Sequence, residues 1–234
     1  MNDNQFPNIQ PQEEQTALMP GIMTGVFILM FLGLAVSGIT AYVAASSTAF
    51  ISFLVTNPYA LFGFIIAEVV LVLALSAMIT KLSSAAASIM FFLYSFVNGL
   101  TLSVVLLAYA PGDIVLALAC AAAMFAVMAA YGVITKSDLS SYRGFLFMGL
   151  AGIIIATLLN VFMRNSMLDT LICYVGIFIF VGLTAYDTQR IKKMLAANPD
   201  METAKKIRVI GALMLYLDFI NIALKLLRLI GRRN

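Results

Sequence analysis

The feature that most constrains this sequence is a series of seven apolar stretches, each about long enough to cross a bilayer as a helix. The chain is 62% hydrophobic and only 11% charged, whereas an average soluble domain has about 25% charged residues. A water-soluble globule cannot bury that much apolar surface. The stretches lie near residues 21–45, 59–80, 85–109, 114–134, 144–163, 167–186 and 207–229. The sequence therefore predicts an all-α polytopic membrane protein with seven transmembrane helices.

The sequence also predicts two regions. Residues 1–20 are polar and acidic and contain three of the six prolines, which is typical of a flexible tail. No basic segment precedes the first apolar stretch, so we do not expect a cleaved signal peptide. Residues 21–234 are predicted to form the transmembrane domain. Its loops are too short for a soluble catalytic domain, and the longest and most charged one is expected between the sixth and seventh spans, centred on residues 198–200.

Basic residues predict the orientation, because cytoplasmic loops are enriched in Lys and Arg. With seven full crossings, nine of the 14 basic residues lie on the side of the N-terminus. These nine are Lys81, Lys136, Arg143, Arg190, Lys192, Lys193, Lys205, Lys206 and Arg208. The N-terminus is therefore predicted to be cytoplasmic. The seventh stretch is the most polar. We favour a full crossing for it, and the alternative is a re-entrant segment that returns the C-terminus to the cytoplasm.

The absence of histidine excludes several kinds of chemistry. A Ser-His-Asp triad, an HExxH zinc site and an imidazole proton relay all require that residue. Cys120 and Cys173 lie inside apolar stretches without CxxC spacing, so we expect them to pack as small hydrophobic side chains. We predict no cofactor, no nucleic-acid partner and no enzymatic activity.

Three acidic residues lie within or at the edges of the spans, where a charge costs several kcal/mol and usually has a function. Glu68 is predicted in the outer half of the second span, and Asp187 near the cytoplasmic edge of the sixth. Asp218 lies ten residues beyond Arg208, which is about 15 Å into the seventh span. The three acids could form a ladder from the outer half to the cytoplasmic mouth.

Helical spacing places several polar residues of the seventh span on one stripe, and such a stripe usually faces the interior of a bundle. The stripe consists of Gly211, Met214, Asp218, Asn221, Lys225 and Arg228. The seventh helix is therefore predicted to be central. Asn98 and Thr101 on the third span, Asn160 on the fifth and Asn221 on the seventh are the candidates to line a pore.

Carboxylates suit both protons and hard cations. Two carboxylates in contact share one proton and titrate as a pair, and oxygen ligands suit Ca²⁺. Asp187 and Asp218 are therefore candidate ligands for Ca²⁺, and with Glu68 they form a candidate cation and proton site. Two structural alternatives remain open. Asp187 could be an interfacial acid paired with Arg190, and Glu68 could be a buried protonated residue that is hydrogen-bonded to a neighbouring span.

Five segments resemble a known family. They read LTAYDTQ at 183–189, LYLDFIN at 215–221, LLR at 226–228, FVNGLTL at 96–102 and TKSDLS at 135–140. They are similar to the transmembrane Bax inhibitor-1 motif family, and within it to the bacterial inner-membrane branch of YccA/YbhL-like proteins. The resemblance covers essentially the whole membrane region.

The resemblance implies a seven-helix bundle with the last helix central, located in a bacterial inner membrane. It also implies a pH-sensitive Ca²⁺ leak governed by two aspartates, which correspond to Asp187 and Asp218. Glu68 matches an acidic position in a bacterial relative. That relative has an arginine cluster at the end of the second helix, whereas here Lys81 is the basic residue at that place. Lys81 and Arg190 are therefore the candidates for a cytoplasmic latch.

Three functions are compatible with the sequence. The first is a proton-regulated cation leak through the bilayer, which carries Ca²⁺ and senses pH through Asp187 and Asp218. The second is a regulatory protein that modulates a membrane protease or a stress response, for which the acidic tail is the candidate segment. The third, a remote alternative, is an intramembrane aspartyl protease, but the GxGD signature of those enzymes does not precede Asp218.

Overall fold

The computed structural model describes residues 12–197 and 199–231, with side chains from residue 21 onward. In this part of the chain there are eight α-helices and one short 3₁₀ turn, and no strand. The helices are α1 (Gln12–Ser46), α2 (Thr48–Thr56), α3 (Ala60–Met78), α4 (Ser84–Ala108), α5 (Pro111–Ile134), α6 (Arg143–Met163), α7 (Ser166–Ala196) and α8 (Met201–Ile230), and the 3₁₀ turn is Leu139–Tyr142. Seven of the helices are long and apolar enough to cross a membrane. The predicted fold class is confirmed.

The short helix α2 was not predicted. It occupies the first connection, where the Ser47 side chain accepts a hydrogen bond from the backbone N of Phe50 at 3.3 Å and so caps the helix. At nine residues it is too short to cross the membrane. It therefore leaves the number of spans at seven.

The prediction that the longest loop lies between the sixth and seventh spans is wrong. Helix α7 continues to Ala196 and α8 already begins at Met201. Lys and Arg favour helices, so both helices extend beyond their apolar segments. Asp200 caps α8 by accepting hydrogen bonds from the backbone N atoms of Glu202 and Thr203, each at 3.0 Å. A further hydrogen bond from the Thr203 hydroxyl helps to hold the pKa of Asp200 below its usual value.

The polar tail differs from the prediction in its second half. Helix α1 begins at Gln12, so residues 12–20 belong to the first helix rather than to a separate flexible segment. Residues 1–11 of the tail, Asn198 of the loop, and Arg232 and Arg233 lie outside the described residues. The boundary predicted at residue 21 therefore falls within α1.

Helix α8 occupies the centre of the bundle, as predicted. It packs against α1, α4, α5 and α7, while α6 packs against α7, and α3 against α4. It is one continuous helix of 30 residues, which corresponds to about 45 Å, against about 30 Å for the hydrocarbon core. This length favours the full crossing over a re-entrant segment.

Two glycines allow neighbouring helices to approach closely. A Cβ atom added to Gly99 of α4 would lie 2.6 Å from the Cβ of Thr40 on α1. A Cβ atom added to Gly132 of α5 would collide with the carbonyl oxygen of Ala185 on α7. Small residues at such crossings bring backbones together where the hydrophobic effect between helices is absent. These contacts hold α1 against α4, and α5 against α7.

We call the end of the bundle that carries the α3–α4, α5–α6 and α7–α8 connections the basic end. Here lysines of the long helices cap their neighbours. Lys206 Nζ donates to the carbonyl oxygen of Thr80 at 3.2 Å, just beyond α3, and Lys192 Nζ donates to that of Val133 at 2.7 Å in the last turn of α5. A cation at a helix C-terminus also compensates the helix dipole. The basic residues of α7 and α8 thus stabilise the ends of the other spans.

Candidate functional site

Asp218 lies in the middle of the central helix and is the most enclosed of the three acids. Its side chain is 3% exposed. Its Oδ2 atom is buried and has no hydrogen-bond partner. An oxygen without a protein partner is rare in a folded interior, and a proton or a cation would be stabilised at this position. Asp218 is therefore the strongest single indication of a functional site.

Asp187 lies beside Asp218 on the neighbouring helix. Ile191 packs against Gly211 and Lys225 against Gly176, which sets the antiparallel register of α7 and α8. This register places Asp187 about one helical turn closer to the basic end than Asp218. The two carboxyl groups are near enough for their charges to repel one another. The structure thus brings together the two aspartates that the sequence singled out.

A threonine hydroxyl lies at this pair, and a second one follows it along α7. Thr184 lies next to the carboxyl of Asp218, and its hydroxyl donates to the carbonyl oxygen of Phe180 at 2.9 Å. The hydroxyl of Thr188 donates in the same way to the carbonyl oxygen of Thr184 at 2.7 Å. The Thr184 hydroxyl is also within hydrogen-bonding reach of the Asp218 carboxyl. Thr184 is thus the hydroxyl that the structure places at the pair.

Glu68 belongs to a different polar network. Its carboxylate accepts a hydrogen bond from Asn98 Nδ2 at 3.1 Å and another from Thr101 Oγ1 at 2.5 Å. Two of the predicted pore-lining residues thus bind Glu68 directly and connect α3 to α4. This matches the alternative in which Glu68 is hydrogen-bonded to a neighbouring span.

The network continues from α4 into the central helix and α1. The Tyr216 hydroxyl donates to Asn98 Oδ1 at 2.8 Å and lies 2.6 Å from the hydroxyl of Ser37. Ser37 in turn donates to the carbonyl oxygen of Ser95 at 2.7 Å. Tyr216 is completely buried, with the rings of Phe91 and Tyr94 packed edge-on against it. We call the side chains of Ser37, Glu68, Asn98, Thr101 and Tyr216 the tyrosine network.

Among the described residues, the three acids do not form the ladder that the sequence suggested. Tyr216 and Asp218 are two residues apart, so they point to nearly opposite faces of α8. Asp218 faces α7, where Asp187 lies near it, whereas Glu68 is tied to the face toward α1 and α4. The central helix therefore separates the aspartate pair from the glutamate.

Other predicted residues lie outside both clusters. Asn160 closes the end of α6, where its Oδ1 accepts a hydrogen bond from the backbone N of Asn165 at 3.0 Å. Asn221 is half-buried and donates to the carbonyl oxygen of Leu217 on its own helix at 2.8 Å. The structure thus places Asn160 at a helix terminus and not in the interior of the bundle.

The two latch candidates occupy different positions. Arg190 lies one turn from Asp187 on α7, and its charge acts on that carboxylate. Lys81 is exposed in the α3–α4 connection. Among the described residues, no hydrogen bond or ion pair joins the side chain of Lys81 to either aspartate. Arg190 is therefore the basic residue that is close enough to the pair to influence it.

Sequence reasoning missed the roles of Tyr216, Ser37 and Thr184. A usable signal existed for Tyr216, because a tyrosine in mid-span must find a partner for its hydroxyl when it is buried. Ser37 carried no such signal, since a serine in a transmembrane helix usually bonds to its own backbone. In the described part of the chain, no three His, Cys, Asp or Glu side chains cluster as a metal site. The aspartate pair would therefore hold a metal ion with only two side chains of this kind.

The fold and these buried acids define a polytopic α-helical membrane protein with ionisable groups at its centre. Residues 19–234 match the family described as "Inhibitor of apoptosis-promoting Bax1". The chain is 41% identical over 233 residues to the inner membrane protein YbhL of Escherichia coli K12, covering 99% of this chain and 100% of the relative. It is 40% identical to an uncharacterized protein of Borreliella burgdorferi, over 95% of this chain and 97% of the relative. The chain therefore belongs to the Bax inhibitor-1 family.

Proposed function

We propose that this protein is a pH-sensitive leak for Ca²⁺ or a similar cation, controlled by the protonation of Asp187 and Asp218. The observation that carries the proposal is the buried Oδ2 of Asp218, which has no partner and lies beside a second buried acid. Two negative charges at this depth repel one another, so a shared proton or a bound cation stabilises the pair. The proton and the cation would compete for the same oxygen atoms.

The small number of oxygen ligands at the site favours the passage of a cation over its tight binding. Ca²⁺ takes six to eight oxygen ligands in a stable protein site, and two carboxyl groups supply at most four. A cation at the pair would keep part of its water shell and leave readily. Protonation of the pair removes the negative charge that attracts the cation, and it changes the packing of α7 against α8.

Calcium flux into liposomes tests this proposal. The purified protein is reconstituted into vesicles that contain a Ca²⁺ dye, and influx is measured between pH 6 and pH 8. We expect flux that depends on pH in the wild type, and the loss of that dependence in the double variant Asp187→Asn, Asp218→Asn. Asp138→Asn is the matched control, because it makes the same change at an exposed acid outside the spans. Unchanged flux and pH dependence in the double variant would refute the proposal.

We further propose that the basic end faces the cytoplasm of a bacterium and that the protein lies in the inner membrane. The enrichment of Lys and Arg at this end supports the orientation, and the relative named as an inner membrane protein supports the location. Reporter enzymes fused after Lys136 and after Arg164 test it. Cytoplasmic activity at the first site and external activity at the second is the expected result, and the reverse pattern would overturn it.

The proposal includes no enzymatic activity. An intramembrane aspartyl protease would also have a pair of aspartates. The variants of Asp187 and Asp218 therefore also test whether the protein is a protease. Cleavage of a transmembrane peptide by the wild type, abolished in Asp218→Asn, would contradict it. Regulation of a membrane protease through the tail remains compatible with the leak. Deleting residues 1–11 would separate the two, because the effect on the partner should vanish while Ca²⁺ flux persists.

A further inference from the structure

A groove on the membrane-facing surface lies between α1 and α5, with Phe219 of α8 at its floor. Its volume is about 580 Å³, which is within the usual range for ligand sites. Phe27 and Phe31 form the α1 wall. The α5 wall consists of four alanines, namely Ala122, Ala126, Ala129 and Ala130, together with Phe125, Val133 and Ile134. The groove is thus almost entirely apolar and is open to the lipid.

The length of the groove matches one leaflet. Along α5 it extends from Ala122 to Ile134 at the basic end, which is about 18 Å of helix. Half of the hydrocarbon core is about 15 Å thick. A transmembrane helix of a partner would need a groove over the whole core. An acyl chain of a lipid in the leaflet at the basic end needs only this half.

Two basic side chains lie close to the end of α5 at which the groove ends. Lys192 Nζ donates to the carbonyl oxygen of Val133, a lining residue, at 2.7 Å. An ammonium group has three donor hydrogens, so two remain for a ligand. Lys136 is also exposed and follows two residues after the lining residue Ile134. The apolar groove therefore ends at positive charge, which complements the phosphate of a lipid headgroup.

We propose that this groove binds one anionic phospholipid, with an acyl chain between α1 and α5 and its phosphate at Lys192 and Lys136. The lipid would seal the membrane-facing opening between two helices that both pack on the central helix. This site is separate from the aspartate pair, and the inference does not depend on the proposed cation leak.

Native mass spectrometry of the full chain, delipidated in detergent and titrated with lipid, tests the proposal. The probes are dioleoylphosphatidylglycerol, which is anionic, and dioleoylphosphatidylcholine, which has no net charge. We expect one bound phosphatidylglycerol, retained about fivefold better than phosphatidylcholine. Equal retention of the two lipids would overturn the role of the lysines.

Two pairs of variants locate the site. Ala126→Leu fills the groove and should lower phosphatidylglycerol retention at least fivefold, whereas Ala123→Leu, at an exposed position on the same helix outside the groove, should not. Lys192→Gln should reduce phosphatidylglycerol to the level of phosphatidylcholine. Lys206→Gln removes the lysine of α8 that donates to the carbonyl oxygen of Thr80 beyond α3, and it should leave the preference unchanged.

The alanine variants have clear contrary outcomes. If Ala126→Leu and Ala123→Leu retain the lipid equally, the groove is not the site. If Ala126→Leu abolishes a dimer in the spectra while lipid retention is constant, the groove is a protein contact. Ala130→Leu repeats the test if Ala126→Leu fails to fold, as judged by helicity and elution volume.

Discussion

The hydroxyl of Tyr216 donates a hydrogen bond to Oδ1 of Asn98 over 2.8 Å, in the interior of the bundle. The same hydroxyl lies 2.6 Å from that of Ser37, and Asn98 also binds Glu68. One phenol group thus connects the central helix α8 to α4, to α1 and, through the glutamate, to α3. The tyrosine network is therefore the polar link among four of the seven spans.

Removal of that hydroxyl should weaken the bundle without creating a cavity. Tyr216→Phe leaves the hydroxyl of Ser37 and Oδ1 of Asn98 with one partner fewer in an apolar interior. We expect a loss of about 1 kcal/mol in the free energy of unfolding, measured by thermal or denaturant unfolding in detergent. Tyr174→Phe is the control, since its side chain is exposed. If the two variants are equally stable, the network does not contribute to stability.

Glu68 should hold the peripheral helix α3 in place, because α3 packs mainly against α4. Glu68→Leu removes the acceptor for the Asn98 amide group and leaves the Thr101 hydroxyl with only the carbonyl oxygen of Val97, at 3.4 Å. We expect faster amide hydrogen exchange in α3, with no change in α7, measured by mass spectrometry in nanodiscs. Glu68→Gln keeps one carbonyl acceptor, so its effect should be smaller. Unchanged exchange in α3 for both variants would contradict this role.

The close contact of α5 and α7 should depend on Gly132. In Gly132→Ala, the new methyl group would collide with the backbone carbonyl of Ala185, which cannot rotate away. We expect destabilisation by about 1–3 kcal/mol, as for other overpacked sites. The control is Gly152→Ala in α6, where nothing lies within 4 Å of the added Cβ. That substitution should be neutral or slightly stabilising, because alanine favours a helix more than glycine.

A comparison of the two melting temperatures in detergent checks this expectation. A Gly132→Ala protein that is as stable as Gly152→Ala would show that α5 and α7 separate without cost. The contact would then be incidental to the packing of the bundle.

The connection between α5 and α6 should be insensitive to pH except in strong acid. A hydrogen bond from Lys193, together with one from the backbone N of Ser140, lowers the pKa of Asp138 to about 2. Because this pKa is depressed below the unfolded value of about 3.9, the stabilisation is fully present above that value. It is lost as the pH falls toward 2.

Amide exchange at Leu139 and Ser140 measures this dependence. Protection should be constant from pH 8 to pH 5 in the wild type. Asp138→Asn should lower the protection at every pH, because the ion pair with Lys193 is removed while the cap on the 3₁₀ turn is kept. A transition near neutral pH at these amides would contradict the assignment. It would also remove the basis for using Asp138→Asn as the flux control.

Much of the fold could be predicted from the sequence, because a span is a local property. Apolar length determines whether a segment crosses the bilayer, and the seven helices follow directly from it. The acids stood out for the same local reason, since Glu68, Asp187 and Asp218 interrupt apolar segments. The ends of α7 and α8 could not be placed, because charged residues continue a helix as readily as they end an apolar stretch.

Only the tertiary structure decided which acids lie near one another. Asp187 and Asp218 are neighbours because Gly211 and Gly176 fix the register of α7 against α8. Glu68 is apart from them because α3 packs on α4, at the far side of the central helix. The depth of a residue can be counted along its own helix, but the face that meets another helix depends on side-chain packing between distant segments. For that physical reason the sequence determined the spans and the candidate acids, and the packing of the helices determined the site.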